Sequence, residues 1–337
     1  MPGIKDVAAR AGVSAATVSR ALSGNGNVSP ASKRRVLDAA KELGFVLSYN
    51  ASSLASGRSR NIGVVLPAAN RWYFANVLDG AATTLLAAGY DLMLYDTSRG
   101  GHSRESVLTD FLMRKRLDGI IAVSLALSAA EVDQLLGVRI PVVGVGGAIP
   151  GAPSISINDF AVARTATAHL LSLGHRRIAH LSGSEEFERD FRLPTARRDG
   201  YEAAMRSAGL APRPAWLPLA DFTITGGYQA AKVLPAHPDE RPTAVFAASD
   251  EMAIGTILAA RELGLRVPDD LSVIGIDGHE LGDVFGLTTF DQAPHRQGAR
   301  AAQRLLEQLG GGPETAPHSE LVEPAFIVRT STTAPSA

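Results

Sequence analysis

The chain has 337 residues, 45% of them hydrophobic and 20% charged, long enough for two or three units with sizeable cores and too apolar for a disordered chain. It has no cysteine, which excludes disulfide staples, cysteine-ligated zinc, iron–sulfur clusters and thiol nucleophiles. The net charge of −1 conceals +6 over residues 1–60, from nine basic and three acidic groups, and −7 over the rest, a split that points to a phosphate-backbone partner for the head alone.

The first 47 residues read as three short helices. Ile4, Val7, Ala8 and Ala11 share one helical face, and Gly12 stands at the C-terminal cap. Ser14 is a suitable N-cap for a second helix, AATVSRAL, whose Val18 and Leu22 point back at the first. Ser29-Pro30 combines an N-cap with a proline at the first helical position and opens a third helix ending near Leu43-Gly44. Residues 48–60, SYNASSLASGRSR, form a linker or conditional helix with one large aliphatic residue, Leu54.

From Ile62 onward, apolar runs at 62–66, 90–96, 118–124 and 140–146 alternate with amphipathic segments near 75–88, 103–116 and 129–136. The rhythm returns with runs at 178–183, 243–249 and 271–277 and helices near 160–173, 197–208, 226–234 and 250–263. Alternation of this kind predicts two doubly wound parallel sheets in tandem, an α/β body of two lobes with a ligand cleft between them. No apolar run reaches the roughly 18–20 residues that span a bilayer. The stretch MPGIKDVAARAGVS lacks the apolar core of a signal peptide, so a cytoplasmic protein without a membrane partner is expected.

Catalytic signatures are missing. GVGGAIPG (144–151) begins like a dinucleotide loop but has Ile149 at the third glycine position, and GxxxxGK[ST], GxSxG and HExxH do not occur. The eight histidines are scattered without metal-ligand spacing. A non-enzyme without cofactor or metal is expected.

The run IKDVAARAGVSAATVSRALSGNGNVSPASKRRVLDAAKELGF resembles the N-terminal domain of the lac/gal repressor family, and the linker and body resemble the rest of that family's chain. The resemblance implies a helix-turn-helix DNA-binding domain over 1–47, a hinge over 48–60, an effector-binding and dimerisation body over 61–331, and a tail over 332–337. It divides the body into an N-lobe of about 61–158 plus 292–320 and a C-lobe of about 159–291 plus 321–331, a fold like that of periplasmic binding proteins.

Ala15, Ala16 and Arg20 match the family's base-reading positions. Arg20 suits guanine O6/N7, whereas the two alanines offer only apolar contact or plain helix propensity. Ser14, Thr17, Ser23 and Asn27 match phosphate-contacting positions, although Ser14 and Thr17 also suit capping. Leu54 matches the leucine that each subunit wedges into the central minor-groove step once the hinge turns helical on operator DNA; otherwise it is a linker leucine lying on the body. Leu47-Ser48 and Ser52 depart from the family's Pro-Asn and arginine, which implies an altered hinge.

In the body, the resemblance assigns effector contacts to Trp72, Tyr73, Arg197, Phe222, Ser249, Asp277 and Gln292. Trp72 and Tyr73 are expected to stack on a sugar ring, Phe74 to pack on the sheet, and Asp277 to accept hydrogen bonds from vicinal hydroxyls. Asp250 reads equally as a helix N-cap or a ligand contact, and Gln292 falls near a crossover between lobes. The implied partners are a pseudo-palindromic double-stranded operator, a small-molecule effector such as a sugar, and a second copy of the chain. The tail TSTTAPSA shows no heptad pattern, which favours a homodimer over a tetramer. The competing expectation is a soluble sugar-binding protein of the periplasmic type, against which the basic head argues.

Overall fold

A computed structural model describes residues 2–23, 27–45, 58–97, 105–111, 116–183, 193–235, 237, 240–311 and 319–336. The chain forms two compact units, Met1–Arg60 and Asn61–Ala337.

The head contains α1 (Ile4–Ala11), α2 (Ala15–Ser23) and α3 (Pro30–Glu42). Each helix contributes one fully buried valine, Val7, Val18 and Val36, to a core completed by five buried alanines. Burial of each valine supplies roughly 1.5–3 kcal/mol. The ends are capped locally. Asp6 accepts the Gly3 N–H at 2.7 Å, Gly12 closes α1 in the left-handed conformation, and Ser29 accepts the Ser32 N–H ahead of Pro30.

In chain order the body begins β1 (Asn61–Leu66), α4 (Trp72–Ala87), β2 (Asp91–Asp96), a π-helical turn (Val107–Phe111), β3 (Gly119–Val123), α5 (Ala129–Gly137), β4 (Val142–Val145) and β5 (Ser154–Ser156). It continues through α6 (Asp159–Ser172), β6 (Ile178–Gly183), α7 (Leu193–Ser207), β7 (Leu219–Ala220), α8 (Ile224–Lys232), β8 (Ala244–Ala247) and α9 (Asp250–Glu262). The last elements are β9 (Ser272–Asp277), α10 (Gly282–Phe285), β10 (Thr288–Asp291), α11 (Pro294–Leu309), β11 (Ser319–Leu321) and β12 (Ala325–Ile327).

Two six-stranded sheets result, ordered β11-β5-β4-β3-β1-β2 and β12-β10-β9-β8-β6-β7. Their pairings are parallel except for β10 with β12. Each sheet therefore repeats one doubly wound order, in which the first strand lies between the second and third, and the switch point falls between β1 and β3 or between β6 and β8. Ligands bind at the carboxyl ends of strands at such points. The central strands β1, β3, β4, β6, β8 and β9 are buried on both faces, and the cores on either side are built mainly from Val, Ile, Leu and Ala.

Every strand expected in the body is present within about two residues of its apolar run. Residues 103–104 and 112–115 of the helix expected near 103–116 lie outside the described residues. Sequence periodicity did not reveal β5, β7, β10, β11, β12, α10 or α11. After β10 the chain returns to the first sheet: α11 packs against α4, β11 pairs with β5, and β12 then pairs with β10. The contact between α4 and α11 needs glycine. A Cβ at Gly80 would meet the His295 carbonyl, and one at Gly298 would meet the Val77 carbonyl.

Candidate functional site

A cavity with about 520 Å³ of empty space, part of it open to solvent, lies where both sheets present the carboxyl ends of their strands. Tyr73 and Phe74 come from the first turn of α4, and Ser124 follows β3. Arg197 comes from α7, Ser249 and Glu251 from the start of α9, and Asp277 from the end of β9. Phe222 and Leu193 supply apolar wall, while Gln292 sits on the chain segment that crosses from β10 to α11. Among the described residues six non-glycine residues have positive φ, and three of them line this cavity: Ser124 (46°), Phe222 (59°) and Asp277 (145°). A fourth, Ala293 (49°), follows Gln292. Such conformations cost about 1–3 kcal/mol each and concentrate where a fold clamps a ligand.

Arg197 is 1% exposed. Its Nε donates to Asp159 Oδ1 at 2.8 Å and one terminal nitrogen donates to the Ala248 carbonyl, but the other terminal nitrogen, Nη2, has no partner. Ser124 Oγ is likewise buried and unpartnered. Burial pushes the Asp277 carboxyl well above the usual carboxylate range, against the pull of nearby Arg197. Glu251 is also raised by burial, opposed by the charge of Arg71 and by the Trp72 backbone N–H.

A hydrogen-bonded chain links the two lobes through this wall. The Tyr73 hydroxyl donates to Gln297 Oε1 at 3.3 Å, Gln297 Nε2 donates to the Gln292 carbonyl at 2.7 Å, and Gln292 Nε2 donates to Asp277 Oδ1 at 2.6 Å. Gln292 thus supports the crossover and shapes the cavity at once.

The structure brings Tyr73, Arg197, Phe222, Ser249, Asp277 and Gln292 to one cavity. Trp72 requires a correction, because its ring lies outside the lining and stacks on His279, with centroids 4.7 Å apart and planes at 26°. Phe74 packs in the sheet core as expected and in addition forms cavity wall. The alternatives weighed for Asp250 both fail. Ser249 is the N-cap, accepting the Met252 N–H at 3.3 Å. Asp250 is fully buried, accepts the Gly278 and His279 N–H groups at 2.9 and 2.8 Å, and accepts the Thr289 hydroxyl at 2.7 Å. It anchors the loop that follows Asp277. Arg71, Ser124, Leu193, Glu251 and Gln297 were not anticipated; their one local signal was the adjacency of Glu251 to Ser249 and Asp250.

In the head, Ser14, Ala15, Ala16 and Arg20 are exposed on the first turns of α2 and just before it, and Thr17 is half-buried. Ser14 Oγ accepts the Thr17 N–H at 3.2 Å and lies 2.9 Å from the Thr17 hydroxyl. Arg20 Nε donates to the Ala16 carbonyl at 3.2 Å, leaving the terminal fork on the exposed face. The first turn of α2 contains no acidic residue, so its positive end is uncompensated and suits phosphate. Asn27 is exposed. The side chain of Ser23 and the whole of Leu54 lie outside the described residues.

Residues 3–48 match the family model described as bacterial regulatory proteins, lacI family, and residues 167–332 match that of a periplasmic binding protein-like domain. The chain is 33% identical over 336 residues to the transcriptional repressor CytR of Escherichia coli (strain K12), covering 98% of this chain and 96% of that one. It is 36% identical over 341 residues to the repressor PurR of Serratia proteamaculans (strain 568), with 98% and 97% covered. The solved lac repressor dimer, bound to operator and the anti-inducer ONPF, matches with a TM-score of 0.86 and 25% identity over 99% of each chain. The regulator CelR in complex with cellobiose matches at 0.69 and 28% identity, over 98% of this chain and 100% of that one. A lacI-family regulator from Enterococcus faecium with bound ribose matches at 0.70 and 26%, over 81% and 99%. Among the described residues no helix is long and apolar enough to cross a membrane. The chain belongs to the lacI family of bacterial regulatory proteins: it is a DNA-binding transcriptional regulator with a periplasmic-binding-protein-like body.

Proposed function

We propose that the protein represses transcription as a homodimer on a pseudo-palindromic operator, and that a sugar or related small metabolite held between the lobes controls its operator affinity. In the head, Arg20 reads a guanine edge and Ala15 and Ala16 approach the bases, while Ser14, Thr17, Ser23 and Asn27 hold phosphates. Leu54 wedges the central step from the minor groove. In the body, Tyr73, Arg197, Phe222, Ser249, Asp277 and Gln292 hold the effector, with Phe74 as a further wall.

Arg197 carries the effector assignment. A guanidinium removed from water is costly unless every donor is satisfied, and Nη2 is buried without a partner in a side chain that lines the cavity. A ligand oxygen completes it. Cellobiose and ribose in two structural relatives support a carbohydrate. Effector binding changes the angle between the lobes and draws the paired hinges apart, so each Leu54 leaves its groove. Linkage then requires DNA to weaken effector binding by the same factor as effector weakens DNA binding.

The test begins with duplexes selected from a randomised pool, followed by gel shift over a salt series and with a panel of sugars. The expected duplexes are pseudo-palindromic, bind with steep salt dependence, and are released by one class of sugar. Binding that is absent or insensitive to salt would overturn the DNA assignment. Operator binding that no sugar or related metabolite alters would overturn the effector assignment.

A further inference from the structure

A separate cavity lies in the C-lobe between α8 and α9, with about 650 Å³ of empty space, part of it open to solvent. Two of its lining residues, Pro242 and Leu271, stand just before β8 and β9. It therefore sits at the amino ends of these strands, whereas the cavity of Arg197 sits at their carboxyl ends. Helix α9 reaches both: Glu251 in its first turn lines the one, and Leu263 at its C-terminal cap lines the other. At 1.5 Å per residue the two positions are about 18 Å apart along the helix.

The floor of this cavity is apolar. Ala231, Ala260 and Leu271 are buried, and Leu263, 52% exposed, stands at the rim. The Thr256 hydroxyl is already committed, donating to the Met252 carbonyl at 2.9 Å. The charged side chains of the lining are Lys232 and Arg241, and among the described residues no carboxylate joins them.

The neighbouring acids are spoken for. Glu262 accepts Lys232 Nζ at 2.7 Å on one oxygen and the Tyr228 hydroxyl on the other. Asp270, which feels the charge of Arg241, accepts the backbone N–H, Nε and a terminal nitrogen of Arg266 at 2.8, 2.8 and 3.0 Å. The Arg241 guanidinium itself makes no hydrogen bond or ion pair with any described residue. The backbone that carries it is held in place, because Trp216 Nε1 donates to the Glu240 carbonyl at 2.9 Å and Pro242 is buried. An apolar floor beside an uncommitted guanidinium suits a ligand with an apolar body and one anionic end: the body leaves water, and the fork takes a carboxylate.

We propose that this cavity is a second small-molecule site of the regulator, taking a carboxylate on a compact apolar body, with the body against Ala260, Leu263 and Leu271 and the carboxylate on Arg241. The site shares no lining residue with the cavity of Arg197, so its occupant does not compete with the effector.

The full-length chain is titrated calorimetrically with benzoate and cyclohexanecarboxylate, each matched by its neutral primary amide. At least one of the acids is expected to saturate and to bind at least about tenfold more tightly than its amide, a difference of about 1.4 kcal/mol. Arg241→Gln is expected to erase the preference for the acid. Leu263→Trp, which narrows the mouth from an exposed position, is expected to weaken that acid at least about fivefold. Arg197→Lys is expected to leave its binding unchanged. Failure of both acids to saturate by about 10 mM, or a preference over the amide that survives Arg241→Gln, overturns the inference. Binding that is lost in Arg197→Lys and kept in Arg241→Gln overturns it as well, because it places the acid in the effector cavity.

Discussion

Replacing Arg197 by methionine tests the cavity at its most buried charge. The side chain is 1% exposed and its ion-pair partner Asp159 is 14% exposed. Removing one partner of a buried pair costs about 3–5 kcal/mol. Asp159 recovers some hydration, so the lower end, about 3 kcal/mol, is expected here. The body spans residues 61–337. At about 2.1 cal/mol/K per residue its unfolding entropy is roughly 0.6 kcal/mol/K, and the loss lowers Tm by about 5 °C. Adding Asp159→Asn removes the stranded carboxylate and should restore part of that loss, so the two substitutions are expected to be non-additive. Arg197→Lys keeps a charge without the fork, loses less stability, and still fails to respond to sugar because a lysine cannot span Asp159, Ala248 and a ligand. Thermal unfolding, and operator release by whichever sugar the parent protein binds, measure the two effects. A methionine variant that melts within 1 °C of the parent, or a lysine variant with full sugar response, would refute the role given to this side chain.

Four further outcomes are expected. His180 is stacked between Tyr201 and Phe246 and donates Nδ1–H to the Phe246 carbonyl, and burial holds its pKa at about 4. As pH falls from 6.5 towards 4 only the unfolded chain takes up this proton, so the site costs on the order of 3 kcal/mol; His180→Phe should flatten that part of the urea-stability profile, and unchanged slopes would contradict it. Asp277 is raised by burial among Asp250, Glu251, Arg197 and Tyr73. Its ionisation destabilises the empty body as pH rises, whereas ligand hydroxyls favour the ionised form, so effector affinity should rise with pH above the usual carboxylate range; an Asp277→Asn variant with the same slope would assign it elsewhere. Arg20→Ala should weaken binding to the selected operator by about 1–3 kcal/mol and relax preference at one base pair, with much smaller loss on random duplex; equal losses on both duplexes would make Arg20 a phosphate contact. Gly298→Ala gains about 1 kcal/mol of helix propensity yet forces α4 and α11 apart, and a net loss of about 1–3 kcal/mol in urea is expected; a stabilised variant would show that the helices can separate freely.

Most of the strands read from sequence were legible because they are buried on both faces; β2 is not, and was read from its apolar run Leu92–Tyr95 alone. Ile62 and Val64–Leu66, or Val273, Ile274 and Ile276, are apolar runs broken only by one glycine and ended by Pro67 and Asp277. The shorter strands carry no such run: β10 is Thr-Thr-Phe-Asp, and β7 has two residues. Helix α11 escaped for a different reason. Gly298 permits its close approach to α4, and its buried face, Pro294, Gln297, Gly298, Ala301, Ala302 and Leu305, holds a single large aliphatic residue. Sequence also placed Trp72 at the right point of the chain and gave its ring the wrong partner, since His279 is brought to it only by the packing of the two lobes. The positive φ values of Ser124, Phe222 and Asp277 were equally hidden, because glycine is the residue type that announces such geometry.

The polarity of the cavity follows from which protons are already committed. The Gln292 carbonyl can only accept, so Gln297 must present its NH2 group to it, which turns Oε1 towards Tyr73 and draws the Tyr73 proton away from the cavity. Tyr73 is left as an acceptor towards the cavity. Asp277 in its ionised form is an acceptor as well, with Oδ1 already held by Gln292. Arg197 Nη2 can only donate. A ligand that satisfies this wall presents an acceptor to Arg197 and hydroxyl protons to Asp277 and Tyr73. Neighbouring hydroxyls on one ring meet both demands, because each oxygen accepts and donates. A carboxylate at the same place would satisfy Arg197, but it offers no proton to Tyr73 and would hold Asp277 in its protonated form. The hydrogen-bond chain through Gln297 and Gln292 thus favours a neutral, hydroxylated ligand over an anionic one, and it does so from residues on the crossover segment that joins the lobes.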